Sequence, residues 1–252
     1  MGSAAAARLT KPTHHRGFSL LELLVVIGII VLLMGILLPV VGNVRKSARS
    51  TACLANLQQW GASFQMYLAS NHGKTMSDAG DWMADRRWWE WLGAYNGNVR
   101  ASLLCPEALQ RRDDLPPFGG GHFINRGSAQ AAWAMEAPNG DAVGSYGFNH
   151  WIYQPNTRRN PNPYFRYPLK DASVIPILGD CSQPYALPIG PDVVPTSLID
   201  PNQIGIGAYC LDRHRMAVNI VFFDGHAEHV TLAGLWKLKW ARNSRPTDVV
   251  LP

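Results

Sequence analysis

The sequence predicts an α+β fold, in which one long N-terminal helix packs on a small antiparallel β-sheet. Three features lead to this fold class: an apolar run near the N terminus, a stripe of apolar residues at helical spacing after it, and an Asp-Gly turn between two strand-like runs near the C terminus. We therefore divide the 252 residues into a basic leader (1–17), a membrane-spanning segment (18–41), an amphipathic continuation of the helix (42–70) and a globular α+β head (71–252).

The apolar run predicts a single membrane-spanning helix. Leu23–Val41 contains no charged residue, and at about 1.5 Å per residue a helix of this length covers roughly 28 Å, close to the hydrocarbon thickness of a bilayer. Lipid favours a helix because no other open segment satisfies its own backbone hydrogen bonds. A secretory signal peptide fits less well, since its apolar region has only about 7–15 residues followed by a small-residue cleavage site.

Glu22 stands near the start of the apolar run and is a candidate functional residue. A carboxylate inside a bilayer costs a few kcal/mol, so its presence there calls for a function. The alternative is that Glu22 lies near the lipid headgroups and interacts favourably with the positive N-terminal end of the helix.

The charge distribution neither orients the helix nor indicates nucleic acid binding. Three Lys or Arg residues precede the apolar run and three follow it closely, so the positive-inside rule does not choose a side. The leader carries three of the 23 basic residues and none of the 18 acidic ones. Without the leader, 20 basic and 18 acidic residues leave a net charge of only +2, which makes nucleic acid an unexpected partner.

The stripe beyond the membrane segment consists of Cys53, Leu57, Trp60, Phe64 and Tyr67. Spacings of three and four residues place these side chains on one face of a helix, which must be buried against something. We expect a single helix from about residue 19 to residue 70, with a kink or local opening near Gly35–Pro39 because proline removes a backbone donor. Asn-His-Gly-Lys at 71–74 is a helix stop, since glycine suits the left-handed cap.

The head contains three short strand-like runs, at Ser145–Phe148, Val174–Leu178 and Met216–Phe223. Between the first two, Gln154–Pro168 is rich in Pro, Asn, Arg and Tyr and is expected to be an exposed loop. Its arginines alternate with aromatic residues, a composition that can also stack on sugars or single-stranded nucleic acid. This loop is the site of an alternative function as a binding module.

Asp224-Gly225, between Met216–Phe223 and His226–Val230, predicts a β-hairpin with a tight two-residue turn in which both turn residues have positive φ. In that register the predicted pairs are Phe223 with His226, Val221 with Glu228, and Ile220 with His229.

His214, Asp224, His226 and His229 are candidate metal ligands or acid–base groups by side-chain chemistry, although His229 is expected on the opposite face of its strand from His226. Ten positions along a strand cover roughly 33 Å, so His214 and Asp224 are expected at opposite ends of the strand rather than in one site. Cys53, Cys105, Cys181 and Cys210 show no compact redox or metal spacing. They allow three full disulfide pairings if the head is exported to an oxidising compartment.

Gly17-Phe18-Ser19-Leu20-Leu21-Glu22 resembles the processing site of type IV prepilins and of type II secretion pseudopilins. The resemblance implies that a prepilin peptidase cleaves between Gly17 and Phe18 and methylates the new amine of Phe18. It implies that Glu22 pairs with the Phe18 ammonium of a neighbouring subunit, and that Pro39 corresponds to the helix-weakening proline of the family. It also implies a cytoplasmic leader, an extracytoplasmic head, and an assembly platform in the inner membrane as a partner.

A second resemblance concerns the head. His214, nine intervening residues and Asp224-Gly225 match the C-terminal motif of a set of prepilin-like proteins best known from planctomycete-type bacteria. The other matching segments are Cys53–Gln58, Leu104–Pro106, Ser145–Gly147 with Asn149, and Leu178–Asp180. Pseudopilin relatives can carry a structural calcium, for which Asp180 and Asp224 are the acids to test; otherwise no cofactor is expected.

These observations predict a structural subunit, not an enzyme, which assembles with other pilin or pseudopilin subunits into a pilus-like or secretion filament, at the inner membrane or on the cell surface. One alternative is a membrane-anchored binding module for glycan or nucleic acid. Another is a tethered metal-dependent hydrolase centred on His150, His214 or His226, although no nucleophile elbow or phosphate loop occurs in the sequence.

Overall fold

A computed structural model describes residues 19–77, 87–108, 110–111, 123–136, 141–154, 165, 169–188, 193–199 and 204–252. The helices are α1 (Leu20–Ser70), α2 (Trp88–Gly93) and α3 (Val99–Ser102). The strands are β1 (Gln110–Arg111), β2 (Phe123–Asn125), β3 (Ala131–Met135), β4 (Ala142–Gly144), β5 (Tyr146–Asn149), β6 (Pro176–Asp180), β7 (Tyr185–Ala186), β8 (Ala217–Phe222) and β9 (Ala227–Thr231). Single turns of 3-10 helix occur at His150–Ile152, Ala172–Val174, Gly205–Tyr209 and Ala233–Lys237.

The chain forms two compact units, Met1–Val44 and Arg45–Pro252. In the first unit the described residues, 19–44, are all exposed, including every apolar side chain. Helix α1 is long and apolar enough to cross a membrane by length and composition. It stays helical through Pro39 without interruption, so the predicted local opening is not found there and the kink stays a prediction.

The part of α1 in the second unit carries the predicted stripe. All five stripe residues are buried, and Gly61, Ser63 and Leu68 are buried with them. The helix ends as the sequence predicts, because His72 and Gly73 both adopt positive φ and the Gly73 N–H donates to the Leu68 carbonyl at 2.8 Å. The long helix and the packed head confirm the α+β fold class.

A five-stranded sheet with the order β7-β5-β6-β8-β9 forms the centre of the second unit. Its pairings are antiparallel except for β5 with β7, which is parallel. Strands β5, β6 and β8 are buried throughout. Phe64 of α1 packs edge-on against Phe223 and lies 6.2 Å, between ring centroids, from Phe148. The apolar stripe of the helix is therefore covered by this sheet and by α2, whose Trp88 packs edge-on against Trp60.

A second, four-stranded sheet has the order β1-β3-β2, with β4 also paired to β3. The β1–β3 pair is parallel and the others are antiparallel. The sequence did not indicate these strands, which are short and carry little periodicity.

The structure places the C-terminal hairpin where the sequence predicts it but corrects its register by one residue. Ile220 lies opposite Glu228 and Val221 opposite Ala227, so the predicted pairs of Ile220 with His229 and of Val221 with Glu228 are wrong. Because side chains alternate along a strand, one residue changes which side chains meet across the pair.

The reason for the shift is the length of the turn. The Phe222 N–H donates to the His226 carbonyl, and the Gly225 N–H donates to the Phe222 carbonyl, both at 2.9 Å. Three residues therefore form the loop, and of these only Gly225 has positive φ, at +92°. This is a longer hairpin loop that ends in a left-handed glycine, so the predicted pairing of Phe223 with His226 and the positive φ at Asp224 are wrong.

The hairpin turn lies directly on helix α1. The Gln65 side chain donates from Nε2 to the Phe223 carbonyl at 2.6 Å. At Gly61 the approach is so close that an added Cβ would stand 2.7 Å from the Gly225 carbonyl oxygen. Glycine at 61 thus allows the backbones of helix and turn to meet.

Candidate functional site

The N-terminal end of α1 is closed by a reciprocal pair of hydrogen bonds. The Ser19 N–H donates to Glu22 Oε2 at 2.9 Å, and the Glu22 N–H donates to Ser19 Oγ at 3.1 Å. This is a capping box, which satisfies two of the backbone donors that a helix start leaves open. Glu22 is therefore exposed and held at the helix end, while Gly17 and Phe18 lie outside the described residues.

The second candidate site is a buried cluster formed by Cys53, Cys105, Asp180 and His214. One potential ligand atom from each of the four side chains lies within 4.8 Å of the others. Each residue belongs to a different part of the fold: α1, the turn after α3, the last position of β6, and the loop before β8. We refer to these four residues as the Cys-Asp-His cluster.

Distances within the Cys-Asp-His cluster are short. The Cys53 thiol lies 3.6 Å from both oxygens of Asp180. His214 Nε2 lies 3.4 Å from Cys105 Sγ and 3.2 Å from Asp180 Oδ2. The side chains of Asp180 and His214 are 0% and 1% exposed, and both cysteines are fully buried. Four polar or ionisable side chains thus lie together in the protein interior, shielded from solvent.

Arg213 balances the charge of Asp180. Its guanidinium donates from Nη1 to Asp180 Oδ1 at 2.9 Å, and both side chains are 0% exposed. Further donors of Arg213 reach three backbone carbonyls, those of Ser128, Ala129 and Ser145. A buried ion pair persists only when its remaining hydrogen-bonding capacity is filled in this way.

Two further groups support the cluster from outside. The Asn219 N–H donates to Asp180 Oδ2 at 2.9 Å, and the Tyr146 hydroxyl donates to Cys53 Sγ at 3.3 Å. His214 is followed by Arg215 and Met216, which both have positive φ near +60°. Two consecutive non-glycine residues in the left-handed region are strained, and such strain concentrates at functional positions.

These contacts shift the pKa values within the cluster. Burial opposes the ionisation of Asp180, but the charge of Arg213 and the hydrogen bond with His214 hold its pKa well below the usual range. Burial likewise opposes the ionisation of Cys105, yet hydrogen bonds with Cys53 and His214 lower its pKa to about 7. Burial, together with the neighbouring Cys105 and Asp180, raises the pKa of Cys53 well above that of a free thiol.

The pKa of His214 moves upward. Burial disfavours the imidazolium, but hydrogen bonds with Asp180 and Cys105 outweigh burial and raise the pKa to about 10. The two shifts have the directions that favour a Cys105 thiolate beside a protonated His214.

The arrangement of Cys105, His214 and Asp180 is not that of a nucleophilic triad. In a triad the nucleophile and the carboxylate contact different ring nitrogens of the histidine. Here Cys105 Sγ and Asp180 Oδ2 both approach Nε2, whereas Nδ1 of His214 has no hydrogen-bond partner among the described residues. With no exposed nucleophile, the geometry does not favour acyl-transfer chemistry.

A cleft of about 640 Å³ adjoins the cluster. Arg213 and His214 line one wall, and Lys46, Arg49, Glu107 and Asp212 are among the other lining residues. Arg49 and Glu107 form an ion pair at 3.4 Å. Of the four cluster residues, His214 lines this cleft.

The remaining sequence candidates lie elsewhere. Asp224 and His226 form an exposed pair within the hairpin turn, through Oδ1 and Nδ1, and the His226 ring stacks on Phe222. His150 is buried against Tyr153. The structure thus separates His214 from Asp224 and His226 and places Asp180 with His214. The loop Gln154–Pro168 lies outside the described residues apart from Gln154 and Phe165.

The cysteines are all buried free thiols. Burial raises the pKa of Cys181 and of Cys210 to about 12 in each case, so these two behave as small core residues. The sequence reasoning missed that Cys53 and Cys105 share a site with Asp180 and His214. All four positions do fall in the short segments that match the planctomycete-type prepilin-like proteins. This shared resemblance was the one sequence signal that could have linked them.

Comparison with known proteins adds one match. Residues 12–38 match the prokaryotic N-terminal methylation motif. No curated protein and no solved structure matches the chain. The motif supports a type IV pilin-like precursor, and with the apolar helix it indicates a single-pass membrane anchor. The planctomycete-type subgroup and its C-terminal motif remain predictions.

Proposed function

We propose that this chain is a structural pilin or pseudopilin subunit, which a prepilin peptidase cleaves between Gly17 and Phe18 and methylates at Phe18. The observation that carries the proposal is the methylation motif at residues 12–38, in register with a helix whose described apolar residues are exposed from Leu20 to Val44. After export the leader stays cytoplasmic and the head is extracytoplasmic. The processed chains assemble into a type IV pilus-like or type II secretion filament.

The exposed first part of α1 supports lateral assembly. Its apolar side chains need lipid or neighbouring helices, since the described residues of their own unit do not cover them. Glu22 is exposed at the start of this surface, where pairing with the Phe18 ammonium of a neighbouring subunit would compensate two charges in an apolar environment. Such a contact fixes the axial position of one helix against the next.

A processing experiment tests the first step. Gly17→Leu should block cleavage because the bulky residue occupies the position before the cut, and the full-length precursor should accumulate. N-terminal sequencing and mass spectrometry of the wild-type protein from membranes should find methylated Phe18. Recovery of Met1 or Gly2 as the cellular N terminus would contradict the proposal.

An assembly experiment tests the second step. Glu22→Ala should leave cleavage at Gly17 intact but abolish filaments, as judged by imaging and by cross-linking of membranes. Glu228→Ala, which removes an exposed carboxylate from β9, is the matched control and should leave filaments unchanged. Normal filaments in the Glu22→Ala strain would rule out its role in assembly.

A further inference from the structure

We propose that the Cys-Asp-His cluster is a structural zinc site, in which Cys53, Cys105, Asp180 and His214 are the four ligands. This site is independent of the proposed filament function, because it uses none of the residues of the methylation motif. It joins α1 to three separate segments of the head.

The first argument is geometric. Zinc binds sulfur at about 2.3 Å and imidazole nitrogen or carboxylate oxygen at about 2.0–2.2 Å, so the ligand atoms of a tetrahedral site lie about 3.3–3.8 Å apart. The Cys53–Asp180 separation is 3.6 Å, the Cys105–His214 separation is 3.4 Å and the His214–Asp180 separation is 3.2 Å. These separations are close to the edges of such a tetrahedron.

The second argument is charge balance. Two thiolates and one carboxylate carry three negative charges, while Zn²⁺ and the buried guanidinium of Arg213 supply three positive ones, with His214 neutral. A buried group of charges is tolerated when it sums to zero and is hydrogen-bonded. Arg213, which pairs with Asp180 at 2.9 Å, therefore has a reason to be in the interior.

The third argument is the surrounding shell. Ligands of metal sites are themselves held by hydrogen bonds from outer residues. Asn219 and Arg213 already donate to the two oxygens of Asp180, and the Tyr146 hydroxyl donates to Cys53 Sγ. Each of these N–H and O–H groups can remain in place when a metal binds, because it hydrogen-bonds to a ligand residue and does not itself occupy a position on the metal.

The donor set selects the metal and its role. Two thiolates with one imidazole and one carboxylate suit zinc, whereas calcium and magnesium take oxygen ligands. Four protein ligands in a buried position leave no open coordination site, so the role is structural rather than catalytic. The cleft beside Arg213 and His214 gives the ion a route to the site.

Metal analysis of the intact protein is the direct test. The full chain, purified in detergent with a tag that does not bind metals, should contain about one zinc per chain by elemental analysis. After removal of the metal with a chelator, titration with Co²⁺ should produce the thiolate-to-cobalt charge-transfer bands and the d–d bands of a tetrahedral site. This measurement on the wild-type chain needs no variant that must fold.

Matched cysteine variants locate the site. Cys105→Ser and Cys53→Ser should lower the zinc content to less than about a tenth of the wild-type value and remove the cobalt charge-transfer bands from that sulfur. Cys210→Ser, equally buried but outside the cluster, should retain both. Absence of stoichiometric zinc and of a cobalt spectrum in the wild type would overturn the proposal, as would unchanged metal content in both cluster variants. A Cys53–Cys105 disulfide in the isolated protein would also overturn it.

Discussion

Helix α1 changes its surroundings along its length, and its two parts show two ways of stabilising one helix. From Leu20 to Val44 the helix presents apolar side chains that are all exposed. From Cys53 to Leu68 it buries one stripe under the sheet, including Trp60 at 0% exposure. The first part has the composition of a helix that needs lipid or identical neighbours, and the second has that of a helix in a globular core.

The difference shows that helical form alone says little about what a helix contacts. In the first part almost any apolar residue serves, because lipid and other helices adapt to the surface. In the second part each buried side chain has specified neighbours, such as the carbonyl of Ser102, which accepts a hydrogen bond from Trp60 Nε1 at 2.7 Å. Equal substitutions in the two parts should therefore have unequal effects on the stability of the head.

The largest difference in stability is expected between side-chain truncations in the two parts of α1. Trp60→Ala should lower the free energy of unfolding of the second unit by about 3–5 kcal/mol, since it leaves a cavity beside Trp88 and an unpaired carbonyl. Leu33→Ala, at a side chain 54% exposed, should change it by less than about 0.5 kcal/mol. Urea unfolding in detergent measures the free energy of unfolding of each variant. Circular dichroism follows unfolding in both variants, and tryptophan fluorescence is added for Leu33→Ala, which keeps every tryptophan. Equal losses would mean that the two parts of α1 do not differ as described.

Smaller effects on stability, opposite in sign to each other, are expected from alanine substitutions at Gly42 and Gly61. Gly42 has open space around its Cα, so Gly42→Ala should stabilise the helix by about 0.5–1 kcal/mol. At Gly61 the new Cβ would stand 2.7 Å from the Gly225 carbonyl oxygen and 3.0 Å from a methyl group of Val221. Gly61→Ala should therefore destabilise the head by about 1–3 kcal/mol, despite its better helix propensity.

Amide hydrogen exchange distinguishes these two outcomes residue by residue. Protection should rise around residue 42 in the first variant and fall around residue 61 and in the hairpin turn in the second. Stabilisation of the head by Gly61→Ala would show that the hairpin turn is not in close contact with α1.

The smallest effect concerns two left-handed glycines. Gly73→Ala should cost about 1 kcal/mol and Gly225→Ala at least that much, because both positions have positive φ, at +75° and +92°. Gly225→Ala should cost more, since its Cβ would lie 3.0 Å from the Gln65 side chain, whereas that of Gly73 meets nothing within 4 Å. Thermal unfolding of the two variants side by side measures the difference, and equal melting temperatures would contradict a tight contact at the turn.

The sequence predicted the helix and its buried stripe correctly because both depend on local spacing. The hairpin was predicted with the wrong register, since Asp224-Gly225 fits a two-residue turn and also the last two positions of a three-residue turn. The capping box was available in Ser19 and Glu22, three residues apart, but was not recognised. Features that depend on local spacing could thus be predicted from the sequence. The choice between a two-residue and a three-residue hairpin turn could not.

The Cys-Asp-His cluster was not predictable as a unit from spacing. Cys53 and Asp180 are 127 positions apart, and Cys105 and His214 are 109 positions apart. No local pattern encodes such a meeting; it results from the packing of α1 against the ends of β6 and β8. From the sequence, Asp180 and His214 were each predicted as possible metal ligands. The cysteines were interpreted as core residues or as partners in disulfides.

The position of His214 late in the chain has a consequence for biogenesis. Cys53 belongs to the first helix to be synthesised, yet its thiol lies against Asp180, which is in turn contacted by Arg213 and His214. Contacts at such separations close slowly, because the intervening chain must be ordered first. A chain truncated before Asp180 lacks these groups, so its Cys53 thiol is expected to react with a thiol reagent, whereas in the completed head Cys53 is fully buried. Modification of Cys53 by a thiol reagent therefore reports whether a newly made subunit has finished folding.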